Sequence, residues 1–377
     1  MRVVGRGNGE RGRDRSAAAV ACGAAVAGTA AAAGAAGIAA LCRRRGGAGL
    51  VGRTALVTGG SRGLGLLIAR ELGRRGCRVL VAARSADALG AAVADLRGEG
   101  ADAHGLVCDL ARDSEVTALA ARVCDEYGGV DVLVNNAGVI RVGPAAAMSE
   151  DDVAQALDTM FWGPLRLTRA LLPGLRERRG RVVTITSIGG RISVPHLLPY
   201  SCAKFAEVAL SRGLDAETAG SGVRFTTVVP GLMRTGSHLG VEVTGSPRRE
   251  YIWFAAAAGL PVLSMDAERA ARTIVSAALR GRRHLVLTPA ARAALIADGI
   301  SPGLVQAALR TTARLLPHGE SAEVLTGAQA RRRTGAFLRA LTRLNDNAAR
   351  RFNQVPGLRG GGAADGSGPR GPRGHEG

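Results

Sequence analysis

The chain has 377 residues, enough for one large domain or two ordinary ones, and only 3% of its side chains are aromatic. Its formal net charge is +19, and the flanks carry most of it: residues 1–49 hold 8 basic and 2 acidic side chains and residues 291–377 hold 13 and 6, against 29 and 23 in residues 50–290. Charged flanks on a near-balanced centre make an anionic surface such as a membrane a candidate partner, whereas the lack of finger spacing, of a basic-aromatic platform and of a helix-turn-helix pattern argues against nucleic acid.

In chain order, Ser16–Cys42 is uncharged, long enough to span a bilayer and flanked by arginines. Its strong apolar residues are few, so a membrane anchor, an Ala/Gly-rich leader and a cleaved signal peptide all stay open. From residue 50 to 290 strand and helix alternate. The strands read as "TALVT" (54–58), "CRVLVAA", "AHGLVCDL", "VDVLVNNAG", "GRVVTITS", "VRFTTVVPG" and "RRHLVLTP". Between them lie amphipathic stretches such as the one with Leu64, Leu67, Ile68 and Leu72 on one face. Seven strands with helical crossovers predict an α/β fold with a doubly wound parallel sheet. After Pro289, residues 301–317 and 334–352 read as basic amphipathic helices. Packing against the domain, a dimer contact and a membrane surface are their alternatives, with packing preferred. From Pro356 the Gly/Pro-rich tail is expected to be disordered. Cys22, Cys42, Cys77, Cys108, Cys124 and Cys202 form no CxxC pair and no metal-ligand spacing; reduced, buried thiols in a cytosolic setting are expected, with no metal.

"TGGSRGLG" (58–65) follows the first strand and opens the first helix, so Gly59, Ser61, Arg62, Gly63, Leu64 and Gly65 form a phosphate-cradling turn whose free amides face a diphosphate. An acidic residue ending the second strand would take the 2′-hydroxyl of NAD. This chain has Arg84 there and Arg62 in the loop. Two guanidiniums suit a 2′-phosphate, which favours NADP(H) over NAD(H).

Lys204 is the only lysine among 50 basic side chains, and it stands four residues after Tyr200. On a helix both fall on one face. A fixed ammonium favours the phenolate form of a neighbouring phenol, so a tyrosine so placed can exchange a proton with a carbonyl oxygen near neutral pH. A slender ammonium also reaches past the ring to sugar hydroxyls, which a forked guanidinium does poorly. Ser187 ends the strand "VVTITS" and can hold the substrate oxygen.

From Val51 to Pro289 these residues together resemble the short-chain dehydrogenase/reductase family, through "TGGSRGLG", "CDL", "NNAG", Ser187, "YSCAK" and "PGLMRT". The resemblance implies a Rossmann-type fold, hydride transfer to or from NAD(P), and homodimers or homotetramers. It implies Ser187, Tyr200 and Lys204 as catalytic residues, the last two also touching the cofactor. By the same resemblance Asp109 contacts the adenine, Asn135, Ala137 and Gly138 line the cofactor and support the central strand, and Pro230, Gly231 and Thr235 meet the nicotinamide end. One position departs from the pattern. Many members carry an Asn that holds a relay water, three residues before a Gly on the helix preceding the serine strand; here that residue is Met160, and a thioether relays protons poorly.

Val194, His196, Leu197 and Leu198, with Tyr251, Trp253 and Phe254, are the candidate pocket walls, His196 as wall or surface rather than base. Apolar walls suit a hydrophobic carbonyl or alcohol, and the competing expectation is that these aromatics pack as core. The resulting reading is a cytoplasmic NADP-dependent oxidoreductase acting as a ketone reductase. A catalytically weak NADP-binding module recruited to a membrane by its basic flanks is the alternative, and a membrane-surface protein working through residues 301–355 is the third.

Overall fold

Thr54–Thr58 (β1) is buried at all five positions, as a strand covered on both faces must be. Around it lie β2 (Arg78–Ala83), β3 (Ala103–Val107), β4 (Val132–Asn135), β5 (Arg181–Ile185), β6 (Arg224–Val229) and β7 (His284–Val286). The computed structural model describes residues 50–259, 264–334 and 342–354. The chain divides into two units, Met1–Gly49 and Leu50–Gly377, and every described residue belongs to the second. The 16–42 stretch and the tail from Pro356 therefore lie outside the described residues.

The seven strands form one parallel sheet in the order β7-β6-β5-β4-β1-β2-β3, the doubly wound arrangement expected from the sequence. The chain winds outward from β1 to β3 and then returns to β4 on the other side of β1. That reversal leaves a crevice beyond the carboxyl ends of β1 and β4, where such sheets bind ligands.

Alternation along the strands feeds two cores. Ala55, Val57, Val79, Val81 and Val134 face α1 (Gly63–Gly73) and a later helix, Ala267–Leu279. Leu56, Leu80 and Leu133 face α3 (Asp113–Tyr127) and the helix Gly163–Glu177, while α2 (Ala86–Gly98) links β2 to β3. In chain order the remaining helices are α4 (Glu150–Leu157), α5 (Gly163–Glu177), α6 (Leu198–Glu217), α7 (Pro247–Gly259), α8 (Ala267–Leu279), α9 (Pro289–Ile300), α10 (Pro302–Leu315), α11 (Gly327–Arg332) and α12 (Arg343–Arg351). A π turn at Asp158–Trp162 joins α4 to α5 and carries Met160 into the interior.

The C-terminal part differs from the sequence expectation in three ways. Helix α9 is additional, begun by a Thr288 cap that accepts from the Ala291 amide. Ser321–Thr326 is a strand, antiparallel to Glu242–Gly245, which in turn pairs with Arg141–Val142. Finally, α10 does not pack on the domain: none of its residues is buried, and Ile300 and Leu304, at the turn between α9 and α10, are 79% and 73% exposed. The segment at 342–352 does the opposite. Phe352 and Ala348 enter the same core as α1 and α8. Among the described cysteines, Cys77 and Cys108 are buried, and burial pushes both thiols up to about 12, but Cys124 and Cys202 are exposed, contrary to expectation. Among the described residues no helix is long and apolar enough to cross a membrane.

These contrasting environments predict opposite costs. Phe352→Ala, which empties a core site, is expected to lower the unfolding free energy by about 3–5 kcal/mol. Leu304→Ala is expected to change it by no more than about 0.5 kcal/mol. Urea unfolding of the two variants checks both.

Candidate active site

The crevice holds a cavity of about 410 Å³ that runs from the glycine turn to Tyr200 and Lys204. Its floor depends on close backbone approach. Gly59 (φ +62°) and Gly63 (φ +58°) adopt left-handed conformations. A Cβ at Gly59 would lie 2.8 Å from Ala137 Cα, and one at Gly65 would strike the Gly59 carbonyl and the Asn136 amide. Thr58 and Asn136, which sequence reasoning did not single out, lock this floor. The Thr58 hydroxyl donates to the Val134 carbonyl and accepts from the Asn136 and Ala137 amides at 3.0 and 3.2 Å. Asn136 Nδ2 donates back to the Thr58 carbonyl. The ends of β1 and β4 are thereby held together.

Arg62 and Arg84 line the same end of the cavity with Ser61, Leu64 and Asp109. Arg62 is held below the ordinary guanidinium value, first by burial and then by the charge of Arg84. Among the described residues neither arginine forms an ion pair. Two exposed cations side by side at this end of the cavity form a site that an anion would stabilise. The glycine floor and this pair fit the diphosphate and 2′-phosphate of a dinucleotide.

At the other end, Ser187 closes β5 and caps the short turn Ile188–Gly190, its Oγ accepting from the Gly189 amide at 3.0 Å. Gly189 lies between the two expected catalytic hydroxyl residues: a Cβ there would be 3.3 Å from Tyr200 Cε1 and 3.5 Å from Ser187 Oγ. Tyr200 and Lys204 share a face of α6, with Lys204 Nζ 5.8 Å from the centre of the Tyr200 ring. Lys204 is fully enclosed. Its ammonium donates to the Ile185 carbonyl at 2.8 Å and to Glu207 Oε2 at 2.6 Å.

Glu207 is the main residue that the sequence reading missed. It is completely buried, and its Oε1 meets no partner among the described residues. Burial raises its carboxyl to about 7, with the Lys204 charge and hydrogen bond recovering only part of that cost. Burial acts to lower Lys204, but the Glu207 and Tyr200 charges outweigh it and hold the ammonium above its ordinary value. A signal for Glu207 was present: Ala203, Lys204, Glu207, Val208 and Ser211 follow the helical period of the buried face. Met160 is fully buried beside the same group. Its sulfur would lie 3.3 Å from a Cβ at Gly138, a position 3.9 Å from Lys204 Nζ.

Of the expected cofactor residues, Ala137, Gly138 and Thr235 also line the cavity, whereas Asn135, Pro230 and Gly231 do not. Asn135 stands behind it and donates to Thr168 Oγ1, tying β4 to α5. The Pro230 carbonyl accepts from the Ile188 amide, and Gly231 packs on Thr288. The expected aromatic pocket is instead core: Tyr251, Phe254 and Leu197 are buried with Val142, Val243 and Leu325 beneath the small sheet. His196 takes neither expected role at the cavity; its Nδ1 pairs with Glu250 at 2.9 Å, and Glu250 also accepts from Trp253 Nε1. The apolar wall next to Tyr200 comes from Val139, Ile140, Met233 and Val241.

A glycine-floored crevice at the sheet's switch point, with paired cations at one end and a Ser-Tyr-Lys group at the other, defines a dinucleotide-dependent oxidoreductase. Residues 53–241 match the short chain dehydrogenase family, and the chain belongs to it. A 3-oxoacyl-acyl-carrier-protein reductase of Vibrio cholerae is 33% identical over 187 residues, covering 49% of this chain and 75% of that protein. A short-chain dehydrogenase structure from Streptomyces avermitilis is similar with a TM-score of 0.60 and 32% identity, covering 70% of this chain and 97% of that one. An actinorhodin polyketide ketoreductase solved with NADPH gives a TM-score of 0.54 and 33% identity, covering 63% and 95%.

The raised Glu207 carboxyl predicts a pH signature. Between about 4.5 and 7 the folded chain keeps a proton that the unfolded chain releases, so this group's contribution to stability falls as pH rises through that window. The unfolding free energy of the natural chain minus that of Glu207→Gln is therefore expected to shrink between pH 5 and 7.5 in urea titrations. A difference that grows with pH would reverse the assignment.

Proposed function

We propose that the chain is an NADPH-dependent ketone reductase acting on an apolar carbonyl compound and releasing the alcohol. The observation that supports this is a cavity with Tyr200 and Lys204 at one end and Arg62 and Arg84 at the other, with Ser187 beside Tyr200 across Gly189. Arg62 and Arg84 would take the 2′-phosphate, which sets the preference for NADP(H) over NAD(H). The amides opening α1 would take the diphosphate, with Asp109 at the adenine end and Ala137, Gly138 and Thr235 along the wall. When bound, the nicotinamide supplies the hydride.

The chain's own residues do the rest. Ser187 Oγ and the Tyr200 hydroxyl orient the carbonyl oxygen, and Tyr200 gives it a proton as its carbon becomes the alcohol carbon. Lys204 favours the phenolate left behind, and Glu207 keeps that ammonium charged inside the protein. Val139, Ile140, Met233 and Val241 exclude water and accept an apolar chain. The names of the relatives narrow the substrate to a keto group on an acyl or polyketide chain. We further infer a cytoplasmic setting, where NADPH is abundant, and a homodimer or homotetramer as in the family. The domain limits proposed are 1–49 as leader, 50–290 as catalytic domain, 291–355 as added helices and 356–377 as tail. Met160, in place of a relay side chain, favours as second reading a weakly active NADP-binding module held at a membrane by its basic flanks. NADPH binding without turnover of any ketone would select it.

Two variants test the main reading. Tyr200→Phe is expected to cut the ketone-dependent oxidation of NADPH by about 10²- to 10⁴-fold while NADPH affinity is retained; undiminished turnover would remove the assigned role. Arg84→Ala is expected to weaken NADPH about 10- to 100-fold and leave NADH unchanged, by titration of cofactor fluorescence.

A further inference from the structure

The first helix of the sheet opens on amides that have no intrahelical partner. One of them is already engaged from the far end of the chain: the Gly63 amide donates to the Phe352 carbonyl at 2.8 Å. The next residue continues the contact. Asn353, in a left-handed conformation (φ +55°), donates through Nδ2 to the Ser61 carbonyl at 2.9 Å and to the Ala88 carbonyl at 3.2 Å, joining the glycine turn to α2. Gln354 then lines the cavity itself. Its Nε2 is 2.7 Å from where a Gly63 Cβ would be, and its Oε1 is 3.8 Å from the same position on Gly240, next to Arg62.

This segment is anchored firmly. Phe352 is buried in the main core. The Gly236 amide donates to Asn345 Oδ1 at 2.8 Å, and Gly236 itself lies so close to Ala349 that a side chain there would collide. Asp346 meets His238 Nε2 at 2.9 Å and Arg331 at 2.7 Å, and accepts from Thr342 Oγ1. Burial acts to raise its carboxyl, but the His238 hydrogen bond and the Arg331 charge outweigh this and hold it below the usual carboxylate range. Hence α12 is pinned on two sides, and its last residues are presented to the glycine turn in a fixed position.

We infer that residues 352–354 are a built part of the dinucleotide site: they clamp the glycine turn in its binding shape and add the Gln354 amide to the phosphate end beside Arg62. This rests on the reading that the cavity takes NADPH. A clamp fits better than a plug for two reasons. With the segment seated, a cavity of about 410 Å³ remains. The segment also takes only the first amide of α1, and Leu64 and Gly65, which supply the next two, both line the cavity. A side-chain amide there offers a neutral donor to a phosphate oxygen without adding to the repulsion between Arg62 and Arg84.

The test uses the full chain and direct binding. NADPH affinity, read from cofactor fluorescence, is expected to fall about 3- to 10-fold in Gln354→Ala and more in Asn353→Gly, which keeps the left-handed backbone but loses both donor bonds. The melting temperature of cofactor-free Gln354→Ala should stay within about 1 °C of the natural chain. In a second arm, NADPH should slow trypsin cleavage at the exposed Arg343, Arg350 and Arg351 of the natural chain, followed by mass spectrometry. Unchanged or tighter NADPH binding by both variants overturns the clamp, and so does cleavage equally fast with and without cofactor. Failure of the natural chain to bind NADPH at all would instead overturn the parent reading of the cavity, and the clamp with it.

Discussion

Keeping one ammonium charged in the interior is the constraint around which the site is built. Lys204 is enclosed by β5, α6 and the π turn, and removing an ion from water costs several kcal/mol unless it is paired and hydrogen-bonded. The Ile185 carbonyl and the Glu207 carboxylate meet that need on one side, and the Tyr200 ring lies on the other. Much of the surrounding sequence follows from it. Gly190 lacks a side chain because a Cβ there would lie 2.8 Å from the Lys204 carbonyl carbon, so the turn after β5 can press against α6. Gly189 does the same for the Tyr200 ring and Ser187. An arginine at 204 would need room for a planar fork and more acceptors than this enclosure offers, which accounts for a lysine in a chain that otherwise uses arginine.

The opposite end of the cavity inverts this logic. There Arg62 and Arg84 stand together without an acidic partner among the described residues, and Arg62 is held below its ordinary value by burial and then by the Arg84 charge. Such strain is typical of sites that wait for a ligand, because a fully compensated pair would have nothing left to offer an anion. The protein thus gives Lys204 a buried counter-charge in Glu207 and gives the Arg62–Arg84 pair none among the described residues.

How much of this was legible follows from the range of each interaction. The strands were visible because sheet burial on both faces leaves continuous apolar runs, as in "TALVT" and "RVLVAA". The Tyr200–Lys204 pair was visible because four residues make one helical turn. Glu207 had the same local signal, but a carboxylate is rarely fully buried unless it is paired, and its pairing with Lys204 is visible only in the fold. Tyr251 and Phe254 were read as either pocket walls or core, and the core alternative holds: on α7 they seal the small sheet, whose strand Ser321–Thr326 was itself unforeseen. The contact between Asn353 and Ser61 spans 292 positions. No periodicity encodes a pairing of that length; it exists only once the sheet has brought the ends of α12 and β1 together.

Met160 and Glu207 bear on the same buried ammonium from two elements, the π turn and α6. The Met160 thioether beside Gly138 fills its space with apolar volume close to Lys204. A buried lysine in that setting would tend to release its proton. Glu207, one turn further along α6 and in contact with Nζ, restores a charged partner from within the same helix. Burial pushes its carboxyl up to about 7, and the Lys204 charge and hydrogen bond oppose that rise. Tyr200, Lys204 and Glu207 all stand on α6, where backbone geometry fixes the three groups in one register.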